Sequence, residues 1–399
     1  MPIHPEIEKL HDEMTAWRHD IHARPETAFE EVETAAFVAE RLNGFGLDEV
    51  HTEIAKTGVV GVIHGTESAP GEGRAVGLRA DMDALHIEEL NDLPYRSQNP
   101  GKMHACGHDG HTTMLLGAAK HLARTRNFAG TVYVIFQPAE ENEGGGRVMV
   151  EEGLFERFPM RSVFGMHNWP GLELGRMAVR EGPMLAAFDL FEIIVSGQGA
   201  HAAMPHLGTD PIVTGAQLVQ ALQTIVSRAT DPLDSAVVSV TQFHGGDTWN
   251  VIPERASLRG TCRSFRPEVQ DLIEERLRLI ADAVSKAAGA SAEVRYERRY
   301  PATINSAPET AEAAGAASEV VGEANLERDP SPTMGSEDFA FMLEAKAGCY
   351  ILLGNGPGTG GCMLHNPRYD FNDAALVIGA SYWVRLAERL LPEDAGTSA

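Results

Sequence analysis

The sequence is short of three things: cysteine, basic side chains and long apolar runs. Its four cysteines in 399 residues are too scattered for a disulfide framework, which fits a reduced compartment. Lysine and arginine number 33 against 57 acidic residues, a formal net charge of −24 that repels nucleic-acid phosphates and anionic lipid. No apolar run approaches the roughly 20 residues that span a bilayer, and the first residues lack a secretory signal pattern. We expect a cytoplasmic protein with a small-molecule substrate, no nucleic-acid partner and no membrane partner.

Hydrophobic periodicity predicts an α/β fold for most of the chain. The segments VGLRA and TVYVIF are typical of buried strands, and TTMLLGAAKHLA is typical of an amphipathic helix. Strands that alternate with helices indicate a mostly parallel sheet with helices on both faces. We assign residues 1–186 to the first part of this domain.

The pattern changes from about Phe188. The next segments read as strand, helix, strand, strand, helix and strand, which is the order of the ferredoxin-like α+β unit. After Tyr300 the α/β pattern returns, with a strand at CYILLG and a last helix. We therefore predict an inserted domain at residues 187–299 and a second part of the α/β domain at residues 300–399.

The segment GKMHACGHDGHTTM is unusually rich in possible metal ligands. Cys106 and His108 are separated by one residue, and His104, Asp109 and His111 lie beside them. Thiolate sulfur and imidazole nitrogen are ligands that borderline metals prefer. The alternative is a loop whose histidines cap the following helix and whose cysteine is merely buried. The density of the cluster favours a metal site.

Two adjacent carboxylates follow the strand TVYVIF in the segment FQPAEENEGGG. These are Glu140 and Glu141, and from an irregular loop one can face an ion as a ligand while the other faces a bound water and takes its proton. The alternative is a solvated acidic loop that opens the next helix. The pair gains weight from its position at a strand end, in a chain that already offers cysteine and histidine.

Two further histidines precede an asparagine at the end of an apolar segment. His167 lies in FGMHNWP and His365 in CMLHNPRYDFND. For either residue alone, a buried histidine that bonds to a main-chain carbonyl is the favoured interpretation. The combined set is sufficient for two ions that share a bridging water, as amide hydrolysis requires; its members are Cys106, His108, Glu141, His167 and His365.

The predicted insertion carries its own candidates. His201 and His206 lie in the glycine-containing segment VSGQGAHAAMPH, and Asn250 lies in GGDTWNVIPERA. A histidine on a separate domain suits a mobile lid that stabilises a developing oxyanion. A loop histidine without a catalytic role is the alternative. We expect His201 to be catalytic and Asn250 to bind the substrate carboxylate.

These segments together resemble the aminoacylase, hippurate-hydrolase and auxin-conjugate amidohydrolase group of the dinuclear metallopeptidases, which are related to carboxypeptidase G. The segments that carry the resemblance are WRHDIHARPETAFEE, LRADMDAL, MHACGHDGHTTMLLGAA, FQPAEENEGGG, MHNWP, GAHAAMPH, NVIPERASLRGTCRSF, MGSEDFAFM and LHNPRYDFND. The resemblance implies a zinc-peptidase-like α/β domain interrupted by a ferredoxin-like lid and dimerisation domain.

The resemblance also implies roles for individual residues. It makes Glu140 the general base and His201 a lid histidine that often reaches into the partner's site. It implies two divalent ions per subunit, zinc, manganese, nickel or cobalt, and a homodimer or homotetramer. The implied metal ligands are Cys106, His108, Glu141, His167 and His365.

The sequence departs from the broader family at two places. Broader relatives carry a His-x-Asp ligand motif, whereas here Asp81 stands in place of the ligand histidine, a change that the cysteine branch shares. Asp83 then becomes a candidate for positioning a ligand rather than binding metal. His86 stands where this branch usually has proline.

The predicted reaction is hydrolysis of the amide bond of an N-acyl amino acid, of the N-acetyl or N-benzoyl type, to a free amino acid and a carboxylic acid. Two alternatives stay open. The same residues suit a metallo-dipeptidase or carboxypeptidase acting on small peptides. A metal-dependent binding module without turnover is disfavoured by Glu140, because a binding site does not need a spare carboxylate beside its ligands.

Overall fold

The computed structural model describes residues 3–66, 72–141, 143–357 and 362–393. These residues form two compact units. Unit 1 contains those up to Met184, those of Ile304–Ser331 and those from Asp338 onward, and unit 2 contains Leu185–Thr303 and Pro332–Glu337. None of the helices in the described ranges is long and apolar enough to cross a membrane.

The regular elements alternate along most of the chain. The α-helices are α1 (Pro5–Glu8), α2 (His11–Ala23), α3 (Val32–Phe45), α4 (His108–Thr125), α5 (Gly145–Glu151), α6 (Leu154–Arg157), α7 (Pro211–Thr224), α8 (Pro267–Ala287), α9 (Ala307–Val321), α10 (Phe339–Ala345) and α11 (Leu376–Leu390). The strands are β1 (Glu49–Ile54), β2 (Gly58–His64), β3 (Ala75–Asp81), β4 (Thr131–Gln137), β5 (Ser162–Pro170), β6 (Met177–Ala178), β7 (Gly182–Leu185), β8 (Ala187–Ser196), β9 (Ala200–His201), β10 (Ala236–Gly245), β11 (Val251–Ile252), β12 (Arg255–Ser264), β13 (Ser291–Tyr300), β14 (Thr303–Asn305), β15 (Leu326–Glu327) and β16 (Ala347–Gly356).

Unit 1 is built on an eight-stranded sheet in the order β1-β2-β4-β3-β5-β16-β6-β15. Its centre, from β4 to β16, is parallel, whereas β1, β2 and β6 pair antiparallel with their inner neighbours. Every residue of β3 is buried, as expected for a strand covered on both faces. The predicted α/β class is therefore correct, with antiparallel strands added outside the parallel centre.

Helix α4 carries the cysteine and histidine segment into this core. It packs against α2, α3, α11 and β3, and nearly all of its side chains are buried. The residue before it, Gly107, has a φ of 96°, and a Cβ there would lie 2.3 Å from the side-chain oxygen of Asn168. Only glycine permits this sharp turn against the end of β5. The turn places His108 at the start of the helix.

Unit 2 has the predicted β-α-β-β-α-β order in β8, α7, β10, β12, α8 and β13. Its sheet has the order β10-β12-β8-β13 with every neighbouring pair antiparallel, the ferredoxin-like arrangement. Helix α8 contributes a buried stripe at every fourth position, Val269, Ile273, Leu277 and Ala281. The side chain of Asp210 accepts hydrogen bonds from two main-chain amides at the start of α7. Local sequence and burial therefore agree throughout this unit.

Candidate metal centre

Two segments of unit 1 bring possible metal ligands together where the parallel strands end. Cys106 lies just before α4, His108 is the first residue of α4, and His167 lies in β5. The Cys106 sulfur is 3.4 Å from Nε2 of His167. One ligand atom from each of the three side chains lies within 4.8 Å of the other two, and all three residues are buried.

Hydrogen bonds orient both imidazoles toward this point. Nδ1 of His108 is 3.1 Å from a carboxylate oxygen of Asp83, and Nδ1 of His167 is 2.6 Å from the main-chain oxygen of Asn168. When Nδ1–H donates in each ring, the lone pair of Nε2 is left for a ligand. Among the residues that the structure describes, none forms a hydrogen bond with the buried Nε2 of His108. A buried nitrogen of this kind is what a metal ligand requires.

Two positions with left-handed backbone complete the cluster. Ala139, with a φ of 52°, turns the chain sharply after β4, so that Glu140 and Glu141 follow the strand end directly. His365 has a φ of 62°, and its Nε2 is 3.2 Å from a carboxylate oxygen of Glu141. The main-chain amide of His365 donates to the oxygen of Ala105 at 2.8 Å. Non-glycine residues in this conformation are strained, and such strain concentrates at functional sites.

The structure therefore brings all five predicted ligands together. Cys106 belongs both to the group with His108 and His167 and to a second group with Glu141 and His365. The predicted base, Glu140, forms a further group with His108 and Glu141 and is almost fully buried. The Cys106 sulfur is thus shared between the imidazoles of His108 and His167 on one side and that of His365 on the other, with carboxylate oxygens beside it. Two neighbouring ions require shared ligands of this kind.

The electrostatics of the cluster fit cations. Burial and the charges of Glu141 and Glu140 raise the pKa of the Cys106 thiol well above its usual range. Burial lowers the pKa of His108, but the negative charges of Asp81 and Asp83 outweigh this effect and raise the pKa of His108 to about 10. A divalent cation reverses both preferences, because thiolate and neutral imidazole are the ligating forms. The residues present thus fit a metal centre.

Asp81 borders this cluster, with one carboxylate oxygen 3.8 Å from Nε2 of His108, and forms a further group of possible ligands with His108 and His111. Its two carboxylate oxygens also lie 2.7 Å from an Arg79 guanidinium nitrogen and 2.6 Å from Nδ1 of His111. Asp83 contacts two members of the cluster: one oxygen holds His108, and the other accepts from the main-chain amide of Glu141 at 2.9 Å. Asp83 thereby contacts two predicted ligands, His108 and Glu141, and its positioning role stays a prediction.

A buried charged network lies behind the start of α4. Asp109 accepts from Arg18 at 3.2 Å, and its Oδ2 lies 2.8 Å from Nδ1 of His22. The other ring nitrogen of His22 is 3.3 Å from Glu89. Burial lowers the pKa of His22, but the hydrogen bonds with Asp109 and Glu89 outweigh it and raise the value to about 9. The network ties α2 to the residue that follows His108.

The raised pKa of His22 predicts a pH-dependent contribution to stability. Because the folded pKa lies above the ordinary value of 6.5, the contribution is complete below pH 6.5 and is lost as the pH rises through about 9. We expect the loss to be about 1–3 kcal/mol. Thermal unfolding of wild type and His22→Asn from pH 6 to 9.5 measures it, since effects of metal on both proteins cancel in the difference. A constant difference across this range contradicts a charged His22.

Unit 2 carries the other predicted residues. His201 in β9 pairs with Val251 in β11, and the main-chain oxygen of Asn250 accepts from the amide of Ala202 at 3.0 Å. His201 and Asn250 therefore lie side by side on one exposed two-stranded ribbon. His206 is exposed in a neighbouring short turn. The ribbon keeps the imidazole of His201 accessible.

Sequence reasoning gave no role to three buried residues beside the cluster. Arg79 was part of an apolar strand, His111 was one of several histidines, and Asp338 belonged to the unexplained motif MGSEDFAFM. All three are buried. Arg79 could have been found from the sequence, because it is a charged residue inside the apolar strand VGLRAD. A buried arginine needs acidic partners.

Comparison with known proteins agrees with the geometry. The chain is 42% identical over 391 residues to a hippurate hydrolase of Campylobacter jejuni. The alignment covers 98% of this chain and 100% of that protein. The chain is 38% identical over 390 residues to an N-acetyl-L-cysteine deacetylase of Bacillus subtilis, covering 97% of this chain and 90% of that protein. An IAA-amino acid hydrolase of Arabidopsis thaliana is 39% identical, with coverage of 96% and 86%.

Solved structures give the same answer. The YXEP protein of Bacillus subtilis, described as a dinuclear metal-binding peptidase of the M20 family, superposes with a TM-score of 0.82 at 34% identity. The match covers 96% of this chain and 99% of that one. The model of peptidase family M20/M25/M40 matches residues 77–389. The chain belongs to the M20 peptidase family.

Proposed function

We propose that this protein is a metal-dependent amidohydrolase that cleaves the amide bond of N-acyl amino acids, of the N-acetyl or N-benzoyl type. The observation that carries the proposal is the buried group of Cys106, His108 and His167 with the acidic pair Glu140 and Glu141 beside it. Ligands alone suit a binding site, but a second carboxylate next to them suits proton transfer. The names of the similar proteins support the same reaction.

The residues proposed to hold two divalent ions are Cys106, His108, Glu141, His167 and His365. When bound, such ions lower the pKa of water and polarise a carbonyl. Zinc, manganese, nickel and cobalt all accept mixed sulfur, nitrogen and oxygen ligands. Hydrogen bonds hold the imidazoles of His108 and His167 in place, and left-handed backbone at Ala139 and His365 shapes the loops that carry Glu141 and His365.

Glu140 is proposed to move the proton. One carboxylate oxygen takes a proton from water as the water oxygen bonds to the acyl carbon. The same carboxyl group then gives that proton to the amide nitrogen as the carbon–nitrogen bond breaks, leaving a carboxylic acid and a free amino acid. Near-complete burial excludes bulk water from Glu140, so the proton is exchanged with the reactants.

Two residues of unit 2 are proposed to act on the substrate. His201 donates a hydrogen bond to the oxygen that becomes negative during attack. Asn250, beside it on the same ribbon, binds the substrate carboxylate through its side-chain amide. The support is their adjacency and exposure, together with the family resemblance of the motif.

A homodimer or homotetramer and a cytoplasmic location complete the proposal. Unit 2 exposes several large apolar side chains, which is typical of an association surface; they are Leu207, Ile212, Val213, Phe243, Trp249 and Val251. All four cysteines are free, which suits a reducing compartment.

A substrate panel tests this function. Release of free amino acid is measured from N-acetyl and N-benzoyl amino acids and from dipeptides, with chelated enzyme and with enzyme reloaded with each of the four metals. We expect acyl amino acids to be cleaved only after reloading. In parallel, His201→Ala should lower kcat by about 100- to 1,000-fold, the range for a lost oxyanion donor, with unchanged metal content.

The outcomes separate the alternatives. Preferential cleavage of dipeptides replaces the proposed substrate class with a dipeptidase. Full metal occupancy without cleavage of any substrate favours a binding module. For His201, His206→Ala is the matched control, because it removes an exposed histidine from the same segment. Equal kinetics in both variants contradict the proposed role of His201.

A further inference from the structure

Asp338 is a fully buried carboxylate that sits between three elements of unit 1. It accepts from the Arg79 guanidinium at 3.0 Å, from the side-chain amide of Gln137 at 2.8 and 2.9 Å, and from the main-chain amide of Gly146 at 2.7 Å. These donors come from β3, the end of β4 and the start of α5. A buried carboxylate with this many donors is held in one orientation.

The glycines of FQPAEENEGGG make this contact possible. A Cβ at Gly146 would lie 3.0 and 3.1 Å from the main-chain oxygen and Oδ1 of Asp338, and 3.1 Å from the side-chain oxygen of Gln137. Those approaches are tighter than ordinary carbon contacts, so a side chain at this position pushes Asp338 away. The glycine-rich segment therefore packs directly against Asp338.

The main chain of Asp338 reaches the proposed base. Its N–H donates to Oε1 of Glu140 at 3.3 Å. Side chain and amide belong to one residue, so the bonds that fix the carboxylate also fix the direction of this N–H. Arg79 extends the connection, because its guanidinium also binds Asp81, the partner of His111.

We propose that Asp338 is a positioning residue that aims the carboxylate of Glu140. Its side chain anchors the start of α10 to Arg79, Gln137 and Gly146, and its amide orients one oxygen of the base. The inference rests on the proposed function, because it takes Glu140 as the base. It assigns a role to a motif that the metal ligands leave unexplained.

Asp338→Asn is the most conservative test. An asparagine keeps the shape, but it has a single acceptor oxygen for the three donors Arg79, Gln137 and Gly146. Its NH2 group therefore faces one of these donors and cannot accept a hydrogen bond from it. The anchor then shifts, and with it the amide that holds Glu140. Misplacement of a catalytic group by about 1 Å costs up to about 100-fold, so we expect kcat to fall by about 10- to 100-fold.

The kinetic pattern distinguishes positioning from general damage. Glu140 acts on the attacking water, so its misorientation lowers kcat and kcat/KM together and leaves KM within about twofold. Metal content stays at the wild-type value, because the side chain of Asp338 bonds to Arg79, Gln137 and Gly146, and none of these three is a proposed ligand. Loss of metal in step with activity overturns the inference.

A double-variant cycle tests whether Asp338 acts through Glu140. If it does, Glu140→Gln with Asp338→Asn is no slower than Glu140→Gln alone, since the base is already absent. An independent structural defect instead multiplies the two losses. Kinetics use the full chain loaded with metal and an N-acyl amino acid that wild type cleaves.

Gly146→Ala provides a second route in case Asp338→Asn does not fold. The added Cβ displaces Asp338 without removing its charge, and kcat should fall in the same direction with KM and metal content unchanged. Gly44→Ala in α3 is the matched control, because nothing lies within 4 Å of its Cβ position. Equal kcat in both alanine variants overturns the inference.

The single variants also separate this inference from the proposed function. If Glu140→Gln remains active, the assignment of the base is wrong and the inference fails with it. If Glu140→Gln is inactive while Asp338→Asn and Gly146→Ala keep wild-type kcat, the proposed function stands and only the positioning role is wrong.

Discussion

Replacing Glu140 with glutamine should lower kcat by about 100- to 10,000-fold, the usual contribution of a general base, while the metal stays bound. The physical reason is that an amide cannot take the proton of the attacking water, although it fills the same space. Glu140 is almost fully buried, so bulk water does not substitute as the proton acceptor. The measurements are kcat on an N-acyl amino acid and the metal content of the purified variant.

The matched control is Glu143→Gln, the same substitution at an exposed position of the same loop. It should retain wild-type kcat. Comparable activity of the two variants would show that another group removes the proton. Loss of metal from Glu140→Gln would instead make Glu140 a ligand, which its place in a group with His108 and Glu141 allows geometrically.

Replacing Cys106 with alanine should remove metal and activity together. The sulfur belongs to both ligand groups, with His108 and His167 on one side and Glu141 and His365 on the other, so its loss affects both ions. Loss of a contact one step outside the ligands already costs about 10- to 100-fold in affinity, and we expect at least that here. Metal titration into the chelated variant, followed by kcat at saturating metal, measures the effect.

Cys349→Ala is the control for this prediction. Cys349 is also fully buried, in the central strand β16, but it belongs to neither ligand group. It should lower stability without lowering metal affinity. Full metal occupancy in Cys106→Ala would exclude the cysteine as a ligand and leave the acidic and histidine side chains to hold the ions.

Much of unit 1 could be predicted because local sequence and burial agree there. The apolar segments around Ala80 and before Gln137 form β3 and β4, and the family and fold class are confirmed by the comparisons. The antiparallel pairing of β1 with β2 was not predicted, because pairing depends on contacts that periodicity does not encode. The predicted last helix begins at Leu376, after a short 3-10 turn that is capped by the Asn372 side chain.

The candidate ligands could be identified because they are chemically distinctive and lie at strand ends. Their roles stay predictions until metal is measured. The contact of Arg79 with Asp338 was beyond sequence reasoning, since the two residues are 259 positions apart and each is an ordinary charged residue when considered alone. The contact becomes evident in the structure, where both side chains are fully buried. Charged groups that are removed from water need partners of opposite charge.

The place of β16 in the sheet has a consequence for biosynthesis. This strand pairs with β5 from Ser162 to Pro170, yet it follows the whole of unit 2 in the chain. At ribosomal speeds of about 5–20 residues per second, the pairing edge of β5 therefore waits about 10–40 s for its neighbour. Unit 2 is almost continuous and completes its four-stranded sheet in that interval. During synthesis β5 thus presents an open edge, and an unpaired strand edge of this kind is prone to aggregation and favours binding by chaperones.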